Sequence, residues 1–159
     1  MSSESPAKLL PLDNVLVATD GSDNAQRAVE AAIRIAKNFN TQLTILTVAM
    51  ELVPPVYSPI GVDVPTIDYS AYLERAEADA KKLADEAASK AQRESIRVRV
   101  VVLRSVTSVA EAILEEASKE NINLIVVGTR GLGGFKKLLM GSVSSAVVSH
   151  SPCSVLIVR

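Results

Sequence analysis

Four short, nearly unbroken apolar runs govern what this chain can fold into: Val15 to Ala18, Leu43 to Val48, Leu124 to Val127 and Val155 to Val158. Each is too brief for a helix, and continuous apolarity calls for burial on both faces, as in the strands of a parallel sheet. Parallel neighbours cannot be joined by tight hairpins, so a crossover must carry the chain back after each strand.

The sequence supplies those crossovers. The first run, Asn14 to Thr19, stops at the turn formers Asp20-Gly21-Ser22, and from Asn24 to Phe39 Ala25, Val29, Ala32, Ile33 and Ala36 recur at helical spacing. Ser22 or Asp23 is placed to cap that helix. A turn at Asn40-Thr41 leads into the second strand, Leu43 to Val48. From Ala49 to Ile67 the pattern breaks, with Pro54, Pro55, Pro59, Pro65 and Gly61. A connection this long is a flap, a partner contact or an unstructured loop. Asp68 to Arg93 is dense in Ala, Glu, Lys and Leu without Gly or Pro, which predicts a long surface helix with a solvated charged face. Ile96 to Leu103 predicts a third strand passing from exposed to buried surroundings. Ser108 and Glu111 have capping-box spacing, and Val109, Ala112, Ile113 and Ala117 continue a helical stripe toward Lys119. A fourth strand follows at Asn123 to Val127, then a loop from Gly128 to Gly141, a short helix from Ser142 to Ser149, and a last strand, Cys153 to Val158.

Five strands alternating with four helices give an α/β fold, a single doubly wound five-stranded parallel sheet with helices on both faces. The expected arrangement is Rossmann-like, with strand order 3-2-1-4-5. Ligands of such sheets sit beyond the carboxyl ends of the strands where the order reverses, which directs attention to the loops after the first and fourth strands. The expected domain spans residues 13–159, preceded by a flexible tail over residues 1–12.

Composition narrows the partners. With 17 basic and 18 acidic residues the net charge is −1. No broad positive field exists for nucleic acid, which is not an expected partner. The apolar runs fall well short of the roughly 20 residues a membrane-spanning helix needs, and Met1 to Lys8 carries no signal pattern, so a cytoplasmic location away from membranes is expected. The single cysteine, Cys153, permits no intrachain disulfide and reads as an inert core thiol. His150 falls at a helix end, where an imidazole suits the negative dipole. Neither has a partner that would make it catalytic, and no catalytic residues are assigned.

Five of the seven glycines fall between Gly128 and Gly141. Glycine lets a backbone approach an anion closely and adopt positive φ, so that successive N–H groups form a nest for phosphate. Gly141-Ser142-Val143-Ser144 then opens a helix, whose free N–H groups and the Ser142 and Ser144 hydroxyls make a second cradle. Arg130, Lys136 and Lys137 add charge nearby. The loop matches neither a Walker A motif nor a Gly-x-Gly-x-x-Gly dinucleotide loop.

Its spacing, Gly128-x2-Gly131-x9-Gly141-Ser142, resembles the Gly-x2-Gly-x9-Gly-Ser/Thr loop of the ATP-binding universal stress proteins. The similarity runs from Val15 to Arg159 and includes Val15 to Ser22, Leu124 to Gly131 and Ser151 to Arg159. The resemblance implies a homodimeric ATP-binding protein paired through the edge strand Cys153 to Val158. It places Ala18 and Val48 against adenine, with Thr19 beside them, and Asp20 toward the ribose or a metal-water shell. Gly128, Arg130, Gly131, Gly141, Ser142, Val143 and Ser144 would bind sugar and phosphates, and Mg would be carried by the phosphates near Asp20. The function implied is an ATP-binding stress-response switch or sensor with at most slow hydrolysis. Two alternatives stand beside it: an enzyme of adenylyl or phosphoryl transfer with Asp20, Ser22 and Asp23 near Mg, and a nucleotide-independent dimeric interaction module. Flavin is disfavoured, because aromatics are only 3% of the chain and the first strand is followed by no Ser/Thr-rich phosphate cradle.

Overall fold

The computed structural model describes residues 12–51, 68–105, 107–132 and 140–159. Within them the chain runs β1 (Asn14–Ala18), α1 (Asp23–Phe39), β2 (Gln42–Met50), α2 (Tyr69–Arg93), β3 (Val98–Ser105), α3 (Val109–Lys119), β4 (Leu124–Gly128), α4 (Ser142–His150) and β5 (Ser154–Val158). All strand pairings are parallel, and the sheet order is β3-β2-β1-β4-β5. This is the doubly wound arrangement expected from the sequence, with the reversal between β1 and β4.

The continuous apolarity of the central strands has the anticipated cause. Val15 and Val17 face a core shared with α1 and α2, while Leu16 faces the opposite core beneath α3 and α4, and all three are fully buried. Successive side chains of a strand point to opposite faces, so a strand covered on both sides has no polar position to offer. Helix α1 buries Ala25, Ala28, Val29, Ala32, Ile33 and Ala36, one stripe at helical spacing. Ser22 is its cap, accepting from the Ala25 N–H, and Asn40 ends it in the left-handed region at φ 50°. Helix α2 turns a row of alanines, Ala80, Ala84, Ala87, Ala88 and Ala91, onto the sheet. Small side chains there let the helix lie close to strands already crowded with valine and isoleucine.

Three expectations need correction. Strand β2 continues through Ala49 and Met50, which the sequence placed in the proline-rich connection, because β3 pairs with it as far as Met50 opposite Ser105. The remainder of that connection, residues 52–67, lies outside the described residues, as do residues 1–11 of the expected tail; Leu12 packs against the core. Strand β3 never passes into full burial, since it is an edge strand, and Val100 remains exposed. Cys153 is half-buried rather than a core thiol: it precedes β5, and its backbone N–H and Sγ both lie against the Ser151 hydroxyl.

A buried carboxylate ties the β3 edge to the next helix. Glu116 of α3, 4% exposed, accepts from Arg99 Nη2 at 2.8 Å, and the other arm of the same guanidinium reaches Glu120 at 2.6 Å. Arg99 thus compensates a charge that burial would otherwise make costly.

Candidate functional site

Where the strand order reverses, β1 and β4 lie side by side and their following loops diverge, one leading to α1 on one face and the other to α4, beside α3, on the opposite face. A cleft of about 420 Å³ opens there. Ala18, Thr19, Asp20, Val48, Gly128, Arg130, Gly131, Gly141, Ser142, Val143 and Ser144 all line it, so the residues singled out from the sequence converge in one place. Lys136 and Lys137 lie outside the described residues.

The lining is divided by chemistry. One side is apolar: Ala18, Leu46, Val48 and Val127 from the strands, Val109 and Ile113 from α3, and Val143 from α4. Leu46, Val109, Ile113, Val127 and Ala25 were not identified as site residues, because their types and spacing read equally as core. Val127 had the signal of position near the carboxyl end of a strand, and Ala25, Val109 and Ile113 that of the first turns of a helix; Leu46, in the middle of β2, had none.

The other side is polar and built mainly from backbone. Asp20 is its organiser: Oδ1 accepts from the Ser22 N–H and Oδ2 from the Leu132 N–H, each at 3.0 Å. The carboxylate therefore fastens the loop after β4 to the loop after β1. Gly131 is required for this clasp, since a Cβ there would collide with Asp20 Oδ2. Gly128 answers to a different neighbour, where a Cβ would press within 2.8 Å of the Asn24 backbone in the first turn of α1. Gly21 is the one described glycine with positive φ, at 81°. The nest expected from positive φ at the loop glycines is thus not formed by Gly128, Gly131 or Gly141; close approach is what these positions need.

Gly141 is the exception. It is the N-cap of α4, with φ −77° and ψ 166°, a conformation open to any residue, and a Cβ there would meet Arg130 Cα and the Thr129 carbonyl at an ordinary 3.4 Å. Among the described residues nothing demands glycine there. Helices α1, α2 and α3 are capped by the side chains of Ser22, Asp68 and Ser108, yet α4 has no side-chain cap. Among the described residues its first N–H groups have no partner, with the positive end of the helix dipole behind them.

The two serines of the α4 N-terminus differ. Ser144 is buried, and its hydroxyl faces the Thr129 carbonyl at 2.8 Å and the Gly141 carbonyl at 3.0 Å, so its proton holds the loop together rather than reaching into the cleft. Ser142 is exposed and its hydroxyl makes no hydrogen bond among the described residues. Only the second fits the expectation of a hydroxyl supplementing the cradle. Arg130 contributes a buried Nε without a hydrogen-bond partner among the described residues.

A profile described as the Universal stress protein family matches residues 11–159. The chain belongs to this family. The universal stress protein YxiE of Bacillus subtilis (strain 168) is 35% identical over 148 residues, covering 92% of this chain and 99% of the relative. Among solved structures, universal stress protein UspA from Lactobacillus plantarum superposes with a TM-score of 0.78 at 28% identity, covering 93% of this chain and 98% of the other. A universal stress protein crystallised in complex with cAMP has a TM-score of 0.63 at 29% identity, covering 93% and 97%.

Proposed function

We propose that this universal stress protein binds ATP in the cleft between β1 and β4 and acts as a nucleotide-dependent switch or sensor, with at most slow hydrolysis. The observation that carries the reading is Gly141. The fold tolerates a side chain there and a capping residue would stabilise α4, yet glycine leaves the helix N-terminus open onto a cleft whose opposite wall is apolar. An apolar slot joined to an uncapped helix N-terminus suits a heterocyclic base joined to phosphate. The relative solved with cAMP supports an adenine nucleotide as the class.

In this reading the base lies among Ala18, Leu46, Val48 and Val127, and the phosphates lie at the N–H groups of Ser142, Val143 and Ser144. Thr19 and Asp20 border the sugar. Magnesium travels on the phosphates, with Asp20 as the acidic side chain beside them. Among the described residues the cleft presents no paired nucleophile and base, in keeping with binding rather than turnover. The β5 edge, with Val155, Leu156, Ile157 and Val158 each only partly buried, is the surface for a second copy, because an apolar unpaired edge is otherwise prone to promiscuous pairing. The proposed setting is cytoplasmic, without nucleic acid or membrane partners.

Calorimetric titration of nucleotide-free protein with Mg-ATP tests the reading, with ADP and AMP as comparison ligands. Saturable binding near one ATP per chain, with product formation no faster than slow background turnover, is expected. A folded protein that takes up no nucleotide refutes it and leaves the dimeric interaction module. Rapid multiple turnover would instead favour the phosphoryl or adenylyl transfer enzyme.

A further inference from the structure

Among the described residues helix α2 contributes nothing to the lining of the cleft, yet it touches the loop on which the cleft is built. The buried contacts of α2 with the sheet are made by alanines, Ala80, Ala84, Ala87, Ala88 and Ala91. Leu83 is different. It is half-buried, is part of neither apolar core, and lays its methyl groups over Gly21, where a Cβ would come within 2.8 Å of Leu83 Cδ2. Gly21 is the corner of the loop between β1 and α1, held at φ 81°. Its N–H donates to Thr19 Oγ1 at 3.3 Å and its carbonyl accepts from Gln26 Nε2 at 3.2 Å. Both partners are close neighbours in the chain, so they shape the corner; Leu83 reaches it from another element. The residues flanking Gly21 form the clasp: Asp20 accepts from the Leu132 N–H, and Ser22 donates its N–H to Asp20 and its hydroxyl to the Arg130 carbonyl. Glycine has the most backbone freedom of any residue and no side chain to anchor itself, so its conformation is held by what packs on it. A methyl group in van der Waals contact does this, because displacement of the loop either opens a void or meets the leucine.

We propose that Leu83 is a positioning residue for the cleft: from α2 it holds the Gly21 corner, and through that corner the Asp20 clasp, in the geometry that joins the loops after β1 and β4. The consequence for ligand affinity rests on the nucleotide reading. A ligand that touches both loops binds more tightly when their relative position is set before it arrives. Linkage makes the effect reciprocal: if Leu83 favours the ligand, the ligand favours the seating of Leu83, and occupancy of the cleft is felt in a helix that takes no part in lining it.

The test uses the full chain in three forms beside wild type. In nucleotide-free Leu83→Ala, the Ser22 and Leu132 amides should exchange with solvent about fivefold faster or more, read by NMR. Leu83→Met, which keeps a long apolar side chain, should restore most of their protection. Ala88→Gly weakens the same helix at a core position and should leave both amides as in wild type, which separates the clasp from general loss of stability. By calorimetry, Leu83→Ala should weaken Mg-ATP binding by about 5- to 20-fold, and Ala88→Gly should not. Wild type alone supplies a further readout: in protein with labelled leucine methyl groups, the Leu83 signals should shift saturably with Mg-ATP. Leu12 and Leu43, at the opposite end of the sheet, give the unshifted reference. Unchanged exchange at Ser22 and Leu132 in Leu83→Ala, or an equal change in Ala88→Gly, overturns the positioning role whatever the ligand. Leu83 methyl signals that ignore saturating nucleotide overturn the coupling while leaving the nucleotide site standing. Wild type that takes up no nucleotide sinks the nucleotide reading and the coupling with it, and the exchange result then decides the clasp.

Discussion

Asp20 commits both carboxylate oxygens to backbone N–H groups of two loops, and that alters what a substitution there should do. Asp20→Ala frees the Ser22 and Leu132 N–H groups at a partly exposed site, a loss of about 1–2 kcal/mol measurable by denaturant unfolding, and it should weaken nucleotide binding through the displaced loop. The sequence marked Asp20 as a site residue but gave no hint of the clasp, because its partner Leu132 is 112 positions away. Gly131 and Gly141 looked alike in the motif and differ in space. Gly131→Val disturbs the Asp20 clasp as well as the cleft, so its effects on folding and binding will be mixed. Gly141→Ser is the cleaner probe: it should leave stability within about 0.5 kcal/mol of wild type, or raise it by capping α4, while reducing nucleotide affinity at least tenfold. Melting temperature and titration on the same sample check both halves. Loss of stability with intact binding would show that Gly141 serves the fold.

Among the elements, the helices and central strands were legible because each carries its instruction locally. Ser108 caps where its sequence context said it would, and of the two candidates Ser22 and Asp23 it is Ser22 that caps α1; replacing Ser22 with Ala should cost about 1 kcal/mol of stability by chemical denaturation. Truncating Leu16 to Ala, in a strand buried on both faces, should cost about 2–5 kcal/mol. What local pattern could not reveal was the last stretch of β2, since Ala49 and Met50 are held in the sheet by their pairing with β3. Pairing between distant elements also sets the acid response of one surface contact. Lys37 near the end of α1 reaches Glu94 beyond α2, and its hydrogen bond, then its charge, holds the Glu94 carboxyl below the usual carboxylate range. A carboxyl depressed in the folded state stabilises fully above its unfolded pKa, and that contribution disappears as pH falls through the lowered folded value. Lys37→Met should return Glu94 toward ordinary titration, as followed by NMR, with only a small change in stability because the pair is exposed.

At the scale of the whole molecule, a five-stranded sheet with a single reversal dictates where a ligand can bind, and the glycine-rich loop, the first strand end and the α4 N-terminus meet there. The alternation of apolar runs and helical stretches pointed to that architecture, whereas the apolar floor of the cleft was hidden among residues that look like any core. The two open edges of the sheet are treated differently: β3 carries arginines engaged by Glu77, Glu116 and Glu120, while β5 keeps an apolar strand. The most direct test of the central claim is to map the backbone amide shifts of isotope-labelled protein during titration with Mg-ATP. The account predicts saturable shifts centred on Ala18, Asp20, Gly128, Gly131, Gly141 and Ser142, at both loops beyond β1 and β4. Saturable shifts that avoid these residues, or no shifts at all, would contradict it.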